Sequence, residues 1–359
     1  MLDRLLINLS FLFSQPTGIA TYAANVVPHF QELNPILLTA QKFDNFNCYP
    51  ISDRLTPAQG SKGHISRLFW TQFKLPQIYQ KLKSALLFSP VPEAPIHTNC
   101  RYVVMVHDLI PLRFPRPFSP LTNYFRYYLP QVLDRAEHII CNSRATAEDI
   151  KNFFAIPANK ITPILLAYDR DRYRVLEQAK TAQNPRYFLY IGRHDPHKNL
   201  HRTIEAFAKC DRESQLWLAG STDRRYTPQL KARSEELGVE KRVKFLEYVC
   251  AEELPILISN AISLVFPSLW EGFGLPVLEA MAMGTPVITS NLSSLPEVAG
   301  DAAILVDPHN TEAIADAMQI IDRDSKLRGK LSQLSLQQAN RFSWRKTGMA
   351  TAEVLKEFL

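Results

Sequence analysis

Long apolar runs are missing from this 359-residue chain. None approaches the roughly 18 residues of a membrane-spanning helix, which argues against a helical membrane span. The opening MLDRLLINLSFLFSQPTG resembles a secretory leader, but Asp3 and Asn8 interrupt it. No small-residue cleavage pattern follows before Gly18, so a buried first strand running into a loop is expected instead. The five cysteines, Cys48, Cys100, Cys141, Cys210 and Cys250, are odd in number, far apart and never in a CxxC pair. Neither a zinc site nor a disulfide framework is indicated, and a reducing cytoplasm is the expected compartment. Internal repeats and low-complexity stretches are absent. So are a known RNA-binding motif and a uniformly basic domain, so nucleic acid is not an expected partner.

What is present suits two hydrophobic cores: 46% of the residues are hydrophobic in a chain of two-domain length. Apolar strand candidates alternate with helical patterns, which predicts α/β architecture with parallel sheets. The clearest strands are Leu5–Leu9, Tyr102–Val106 and His138–Cys141 in the first half. Tyr187–Ile191, Leu216–Ala219, Val243–Leu246 and Ile262–Phe266 follow in the second. The polar stretch 168–184 reads as a linker. Charge is uneven: residues 1–170 hold 17 Lys and Arg against 11 Asp and Glu, whereas residues 171–359 hold 24 of each. A basic first half suits an anionic partner, such as a membrane surface or lipid phosphate, or is a solvated face.

The most informative run is Pro267 to Ile288, PSLWEGFGLPVLEAMAMGTPVI. Pro276 suits the first position of a helix, Gly284 suits its stop, and Pro286 blocks continuation. The predicted unit is strand, loop, short helix, strand, and its helix start offers backbone N–H groups to an anion. Gly272 and Gly274 allow close backbone approach to a ligand. Glu271 and Glu279 would repel phosphate but suit sugar hydroxyls, which is the layout a sugar nucleotide requires. An ordinary βαβ turn with solvated glutamates has the same spelling.

This block resembles the Glu-x7-Glu motif of the retaining GT-B glycosyltransferases, glycosyltransferase family 4. The likeness continues through Asn291–Glu297 and Gly300–Pro308 and covers nearly the whole chain. It implies two Rossmann-like domains facing a central cleft: residues 1–170 for the acceptor and 184–341 for the donor. Residues 342–359 resemble the helix that crosses back to the first domain. By resemblance Glu271 contacts the donor sugar, Glu279 holds the ribose, and the amides around Phe273 to Leu275 meet the distal phosphate. Arg193 and Lys198 would stabilise the departing diphosphate, the Arg as a fork and the Lys as a point charge. His107, at the end of an apolar strand, would lie beside the reacting sugar and donate or relay a hydrogen bond. Gly18 resembles the family's N-terminal glycine loop, although Thr17 stands where a second glycine is common. Val243–Val249, with Tyr248, resembles the base-binding loop, although Glu247 replaces the usual glycine. Ile164–Asp169 likewise lacks a usual glycine-containing turn.

The activity so implied is retaining transfer of a hexose from a nucleoside diphosphate sugar to a glycan or lipid-linked acceptor, in cell-surface polysaccharide or glycolipid synthesis. GDP-mannose is favoured as donor and a UDP-hexose comes next. Neither a metal nor another cofactor is expected, although Asp169-Arg-Asp171 and Asp322-Arg-Asp324 both spell D-x-D. The second of these falls in a helical surface pattern. The segments His64–Lys74 and Arg113–Tyr128 mix basic and aromatic residues. That mixture suits peripheral contact with the inner face of a membrane, stacking on sugars, or packing under a polar rim. The rival activities are a sugar-nucleotide epimerase on the same fold and a non-catalytic binder of nucleotide sugar or anionic lipid.

Overall fold

A computed structural model describes residues 4–12, 18–176, 185–210, 213–247 and 249–359. The chain forms two compact units, one of residues up to Leu166 together with Ser343–Leu359, the other Ala167–Phe342.

In the first unit seven parallel strands are described: β1 (Arg4–Asn8), β2 (Ile36–Thr39), β3 (Asn47–Pro50), β4 (Ser84–Ser89), β5 (Tyr102–Val106), β6 (His138–Cys141) and β7 (Ile161–Pro163). Their spatial order is 3-2-1-4-5-6-7. β5 is buried along its whole length, as a strand covered by helices on both faces must be, and so reads as an unbroken apolar run. The helix Trp344–Phe358 closes this unit. Its buried Thr347, Thr351 and Leu355 recur every four residues and so share one face. Ser343 caps it by accepting from the Lys346 N–H, and the Thr347 hydroxyl donates to the Leu165 carbonyl at 2.7 Å. A Cβ at Gly348 would run into the His29 ring, so the absence of a side chain sets how closely this helix approaches.

The second unit contains β8 (Tyr187–Ile191), β9 (Gln215–Ala219), β10 (Val243–Leu246), β11 (Ser263–Phe266), β12 (Val287–Ser290) and β13 (Ile304–Val306). All are parallel, in spatial order 3-2-1-4-5-6 within the unit. That is the doubly wound Rossmann order, whose chain reverses direction across the sheet between its first and fourth strands. Here the reversal lies between β8 and β11, whose partners are Ser263 with Phe188 and Leu264 with Leu189. Ligands of such sheets bind beyond the carboxyl ends of the strands at that point.

The strands predicted from sequence are all present, with ends shifted by no more than one residue. β2, β3, β4, β7 and β13 were not named from sequence. They are three to six residues long, too short for periodicity to separate them from helix. The expected surface position of Asp322 is also corrected. It is buried at the end of the helix Thr311–Arg323 and holds Arg186 at 2.6 Å, while Asp324 caps the next helix through the Leu327 N–H. Asp169 in the other D-x-D accepts from the N–H groups of Asp171 and Arg172.

Candidate active site

Beyond β8 the chain turns at Gly192 and runs through the short 3-10 turn Pro196–Lys198. Beyond β11 it forms the loop Pro267–Gly274 and then the helix Leu275–Ala282. The strand order brings these two loops together. Lys198 donates to both oxygens of Glu271, at 2.6 and 2.8 Å, and its ammonium lies 5.5 Å from the centre of the Phe266 ring. Their side chains are only 15% and 9% exposed, so each charge is largely removed from water and neutralised by the other.

Both partners are held from behind. Asn199, in the left-handed region at φ 63°, donates from Nδ2 to the carbonyls of Pro267 (3.0 Å) and Pro308 (2.6 Å). The Leu269 N–H donates to the His197 carbonyl. The Ser293 hydroxyl accepts from the Glu271 N–H at 3.2 Å, and the Ser294 hydroxyl bonds the carbonyls of Glu271 and Phe273. Gly274 heads the helix at φ 106°, and a Cβ there would stand 2.6 Å from Leu295. Only glycine takes that conformation without strain. Gly272 and Phe273 are buried in the loop, Phe273 edge-on to Phe342, and half-buried Leu275 starts the helix.

Glu279 projects from the same helix beside Tyr173, Arg172 and Asp169. Burial pushes its carboxyl up to about 7, against the downward pull of its Tyr173 hydrogen bond and of the Arg172 charge. A hollow of about 830 Å³ opens beside Arg172, between the segment Asp171–Leu176 and residues Ala251–Ile256. Arg193 is not drawn into the Lys198 pair. Its side chain is 68% exposed and pairs with Asp195 at 3.2 Å. Tyr248 lies outside the described residues. On either side of it, Leu246, Glu247 and Val249 border a hollow of about 550 Å³ with Trp217 and Phe245.

In the first unit His107 follows β5. Its Nε2 lies 2.9 Å from the Pro90 carbonyl, which can only accept, so Nε2 carries the proton. The ring meets Tyr22 edge-on at 5.2 Å, and burial lowers the imidazole pKa to about 4. A neutral ring with its N–H engaged leaves Nδ1, an acceptor, for any ligand. Exposed Gly18 is the first residue of the helix Gly18–Val26; the loop before it, residues 13–17, is outside the described residues. Among the described residues no group of three or more His, Cys, Asp or Glu has the geometry to hold a metal ion, and no helix is long and apolar enough to cross a membrane.

Asn199, Ser293, Ser294 and Tyr173 were not singled out from sequence. The Ser-Ser pair falls in the stretch Asn291–Glu297 that carries the family likeness, but its service to the Glu271 loop was not read from it.

Two Rossmann-like units with this connectivity define the GT-B class of glycosyltransferase folds. Sucrose-phosphate synthase from Thermosynechococcus elongatus superposes with a TM-score of 0.78 at 18% identity, over 99% of this chain and 98% of that one. HepE from Anabaena, solved in complex with UDP and glucose, gives 0.76 at 19% identity, over 99% and 100%. In sequence, residues 16–172 match the model of Glycosyltransferase Family 4 and residues 171–337 that of Glycosyl transferases group 1. The O-antigen chain mannosyltransferase B of Escherichia coli is 33% identical over 273 residues, covering 72% of this chain and 71% of that protein. The chain belongs to this family and is a glycosyltransferase.

Proposed function

We propose that this glycosyltransferase moves a hexose, mannose before others, from a nucleoside diphosphate sugar to a glycan or lipid-linked saccharide, with retention of configuration and without a metal or cofactor. The observation that carries the reading is the Lys198–Glu271 pair at the β8–β11 reversal, beside the start of the helix Leu275–Ala282. The carboxylate accepts hydrogen bonds from sugar hydroxyls. The ammonium adds positive charge where the leaving diphosphate gains negative charge, an interaction most useful in the transition state. Gly272, Phe273, Gly274 and Leu275 bring backbone amides to the distal phosphate, and Arg193 swings from Asp195 onto the diphosphate. Glu279 holds the ribose, and Tyr248 lies by the base. His107 and Gly18 serve the reacting sugar and the acceptor from the first unit. GDP-mannose is the preferred donor, with a UDP-hexose next. The mannosyltransferase relative supports the sugar, while HepE with its UDP supports a nucleoside diphosphate donor in general. The lipid-linked acceptor places the protein at the inner membrane face.

Calorimetric titration with GDP and UDP, with and without magnesium, tests the donor site without an acceptor. The expected result is saturable, magnesium-independent binding, tighter for GDP, and weakened in Glu279→Ala by about 1.5–3 kcal/mol. Binding of neither nucleotide overturns the reading. Product NMR from a GDP-mannose reaction then decides between retention and inversion.

A further inference from the structure

The basic and aromatic stretches of the first unit separate into two faces once folded. Over residues 54–92 there are six Lys and Arg, over residues 109–133 there are three, and neither stretch contains an Asp or Glu. The helix Gly60–Phe73 lies in the first stretch. The short helix Pro120–Asn123, the turn Tyr124–Tyr128 and most of the helix Leu129–Arg135 lie in the second.

Their inward side chains converge on one irregular segment, Pro90–Ile96, which follows β4. The carbonyl of every second residue of this segment is met by a side chain. His107 donates to Pro90, the Tyr124 hydroxyl to Pro92 at 2.6 Å, the Tyr128 hydroxyl and Gln72 amide to Ala94 at 2.8 and 3.0 Å, and Arg135 to Ile96. Gln72 also accepts from the Ile96 N–H, and Arg67 forks onto the Glu93 carboxylate at 2.6 and 2.7 Å. Gln72 and Tyr128 bond each other at 2.9 Å, so the two elements are direct neighbours.

The outward side chains have no such role. Ile65, Phe69 and Phe73, four residues apart on one helix face, are exposed, the two phenylalanines by 63% and 64%. Phe69 and Phe73 stack on each other at 6.3 Å. Lys62 and Lys74 are exposed near the ends of that stripe. On the neighbouring element Phe118 is 98% exposed, and Leu121, Arg126 and Tyr127 are exposed with it.

We propose that this outward face, Ile65, Phe69 and Phe73 with Phe118, Leu121 and Tyr127, docks on an anionic lipid bilayer, and that docking holds the Pro90–Ile96 segment at a fixed depth from that surface. The proposal rests on the reading that the acceptor is lipid-linked, and it names the surface that meets the lipid. Protruding apolar side chains beside exposed Lys62, Lys74 and Arg126, on stretches that contain no acid of their own, match an interface where aromatics enter the headgroup layer and cations meet lipid phosphate. A second copy of the chain fits worse, because a twofold contact would press the same basic stretches together. Nucleic acid would take the charge but leave Ile65 and Leu121 without a partner.

Flotation of the intact protein with vesicles tests this. One set is phosphatidylcholine alone; the other contains about one-third phosphatidylglycerol, to supply the negative surface potential. Wild-type protein is expected to float with the anionic vesicles and to come off them as salt rises. Lys62→Gln with Lys74→Gln should weaken partition by roughly tenfold or more. Phe69→Ser with Phe73→Ser should also lose it, while leaving the protein monomeric. Nucleoside diphosphate binding in each variant shows that it is folded. Since the vesicle assay contains no donor, its failure is distinct from failure of the donor reading. Wild-type protein that ignores anionic vesicles, or serine variants that float like wild type, overturn the proposal. So does a lipid-free dimer that the serine pair makes monomeric, which would make this face a protein interface.

Discussion

The two units share a strand order and differ in what stands at the reversal point. In the second unit the ends of β8 and β11 bring together an ammonium and a carboxylate, buried and mutually neutralised. In the first, the polar groups ending β1 and β4 are uncharged, Asn8, Ser10 and Ser89, and neighbouring β5 ends in a neutral imidazole. The same backbone frame therefore sets a charged pair between two strand-end loops in one unit, whereas in the other the strand ends are neutral and the buried pair, Glu93 with Arg67, takes its cation from the helix Gly60–Phe73. Under the proposed transfer, fixed charge would serve the leaving diphosphate, and neutral acceptors the incoming hydroxyl. Side chains at strand ends are where a common fold acquires different chemistry.

The sharpest way to break the contrast is to remove the charge. Lys198→Ala should strand Glu271 in its buried setting, costing about 3 kcal/mol of stability in a denaturant titration. Turnover should also fall by about 10²–10³ if the ammonium acts on the leaving group. The pair Lys198→Met with Glu271→Leu separates the two effects. Stability should largely return, because no unpaired charge remains, and activity should not.

A smaller effect comes from the backbone beside the charged pair. Gly274→Ala forces a side chain into a φ of 106° and against Leu295, for a cost of about 1–3 kcal/mol. A melting temperature unchanged from wild type would show that the loop yields.

One buried group in each unit, Glu279 and His107, should also respond to pH with opposite sign. Glu279 has its carboxyl raised from 4.5 to about 7 by burial, so the folded state favours the protonated form. Its contribution is complete below about 4.5 and is lost as pH rises towards 7. Glu279→Gln should flatten the decline in stability over that window. His107 has its pKa lowered from 6.5 to about 4, so the folded state favours the neutral ring. Its contribution is present above 6.5 and is lost as pH falls towards 4. His107→Gln should remove part of the acid-side loss, the smallest of these changes because other buried histidines titrate in the same direction. Identical pH profiles for the two variants would erase the distinction between these two groups.

Much of the charged site was legible because it is written in short spans. Pro276, Gly274 and Gly284 mark a helix start and stop by local backbone chemistry, and the helix Leu275–Ala282 follows them. The strand Tyr187–Ile191 and the glycine after it are legible for the same reason. The partner of Glu271 was not legible, since Lys198 was read as a phosphate ligand beside Arg193. The fold adds that Lys198 lies on the carboxylate and that Arg193, largely exposed, pairs with Asp195. The aromatics of residues 64–74 and 113–128 were ambiguous for a related reason. Only burial separates Tyr124 and Tyr128, which hold the Pro90–Ile96 segment, from Phe69, Phe73 and Phe118, which face water.

The sequence by itself determined the two parallel-sheet units, most of the strand positions, the helix start beside Glu271 and the basic character of the first half. Each depends on residues adjacent in the chain: alternation, turn chemistry and charge count. Tertiary structure decided that Lys198 and Glu271, 73 positions apart, form one pair. It also decided that Glu279 lies against Tyr173 and that the His107 proton points at Pro90. These contacts follow from a strand order set by packing both faces of a twisted sheet, and no local pattern in the chain encodes which strand ends will meet.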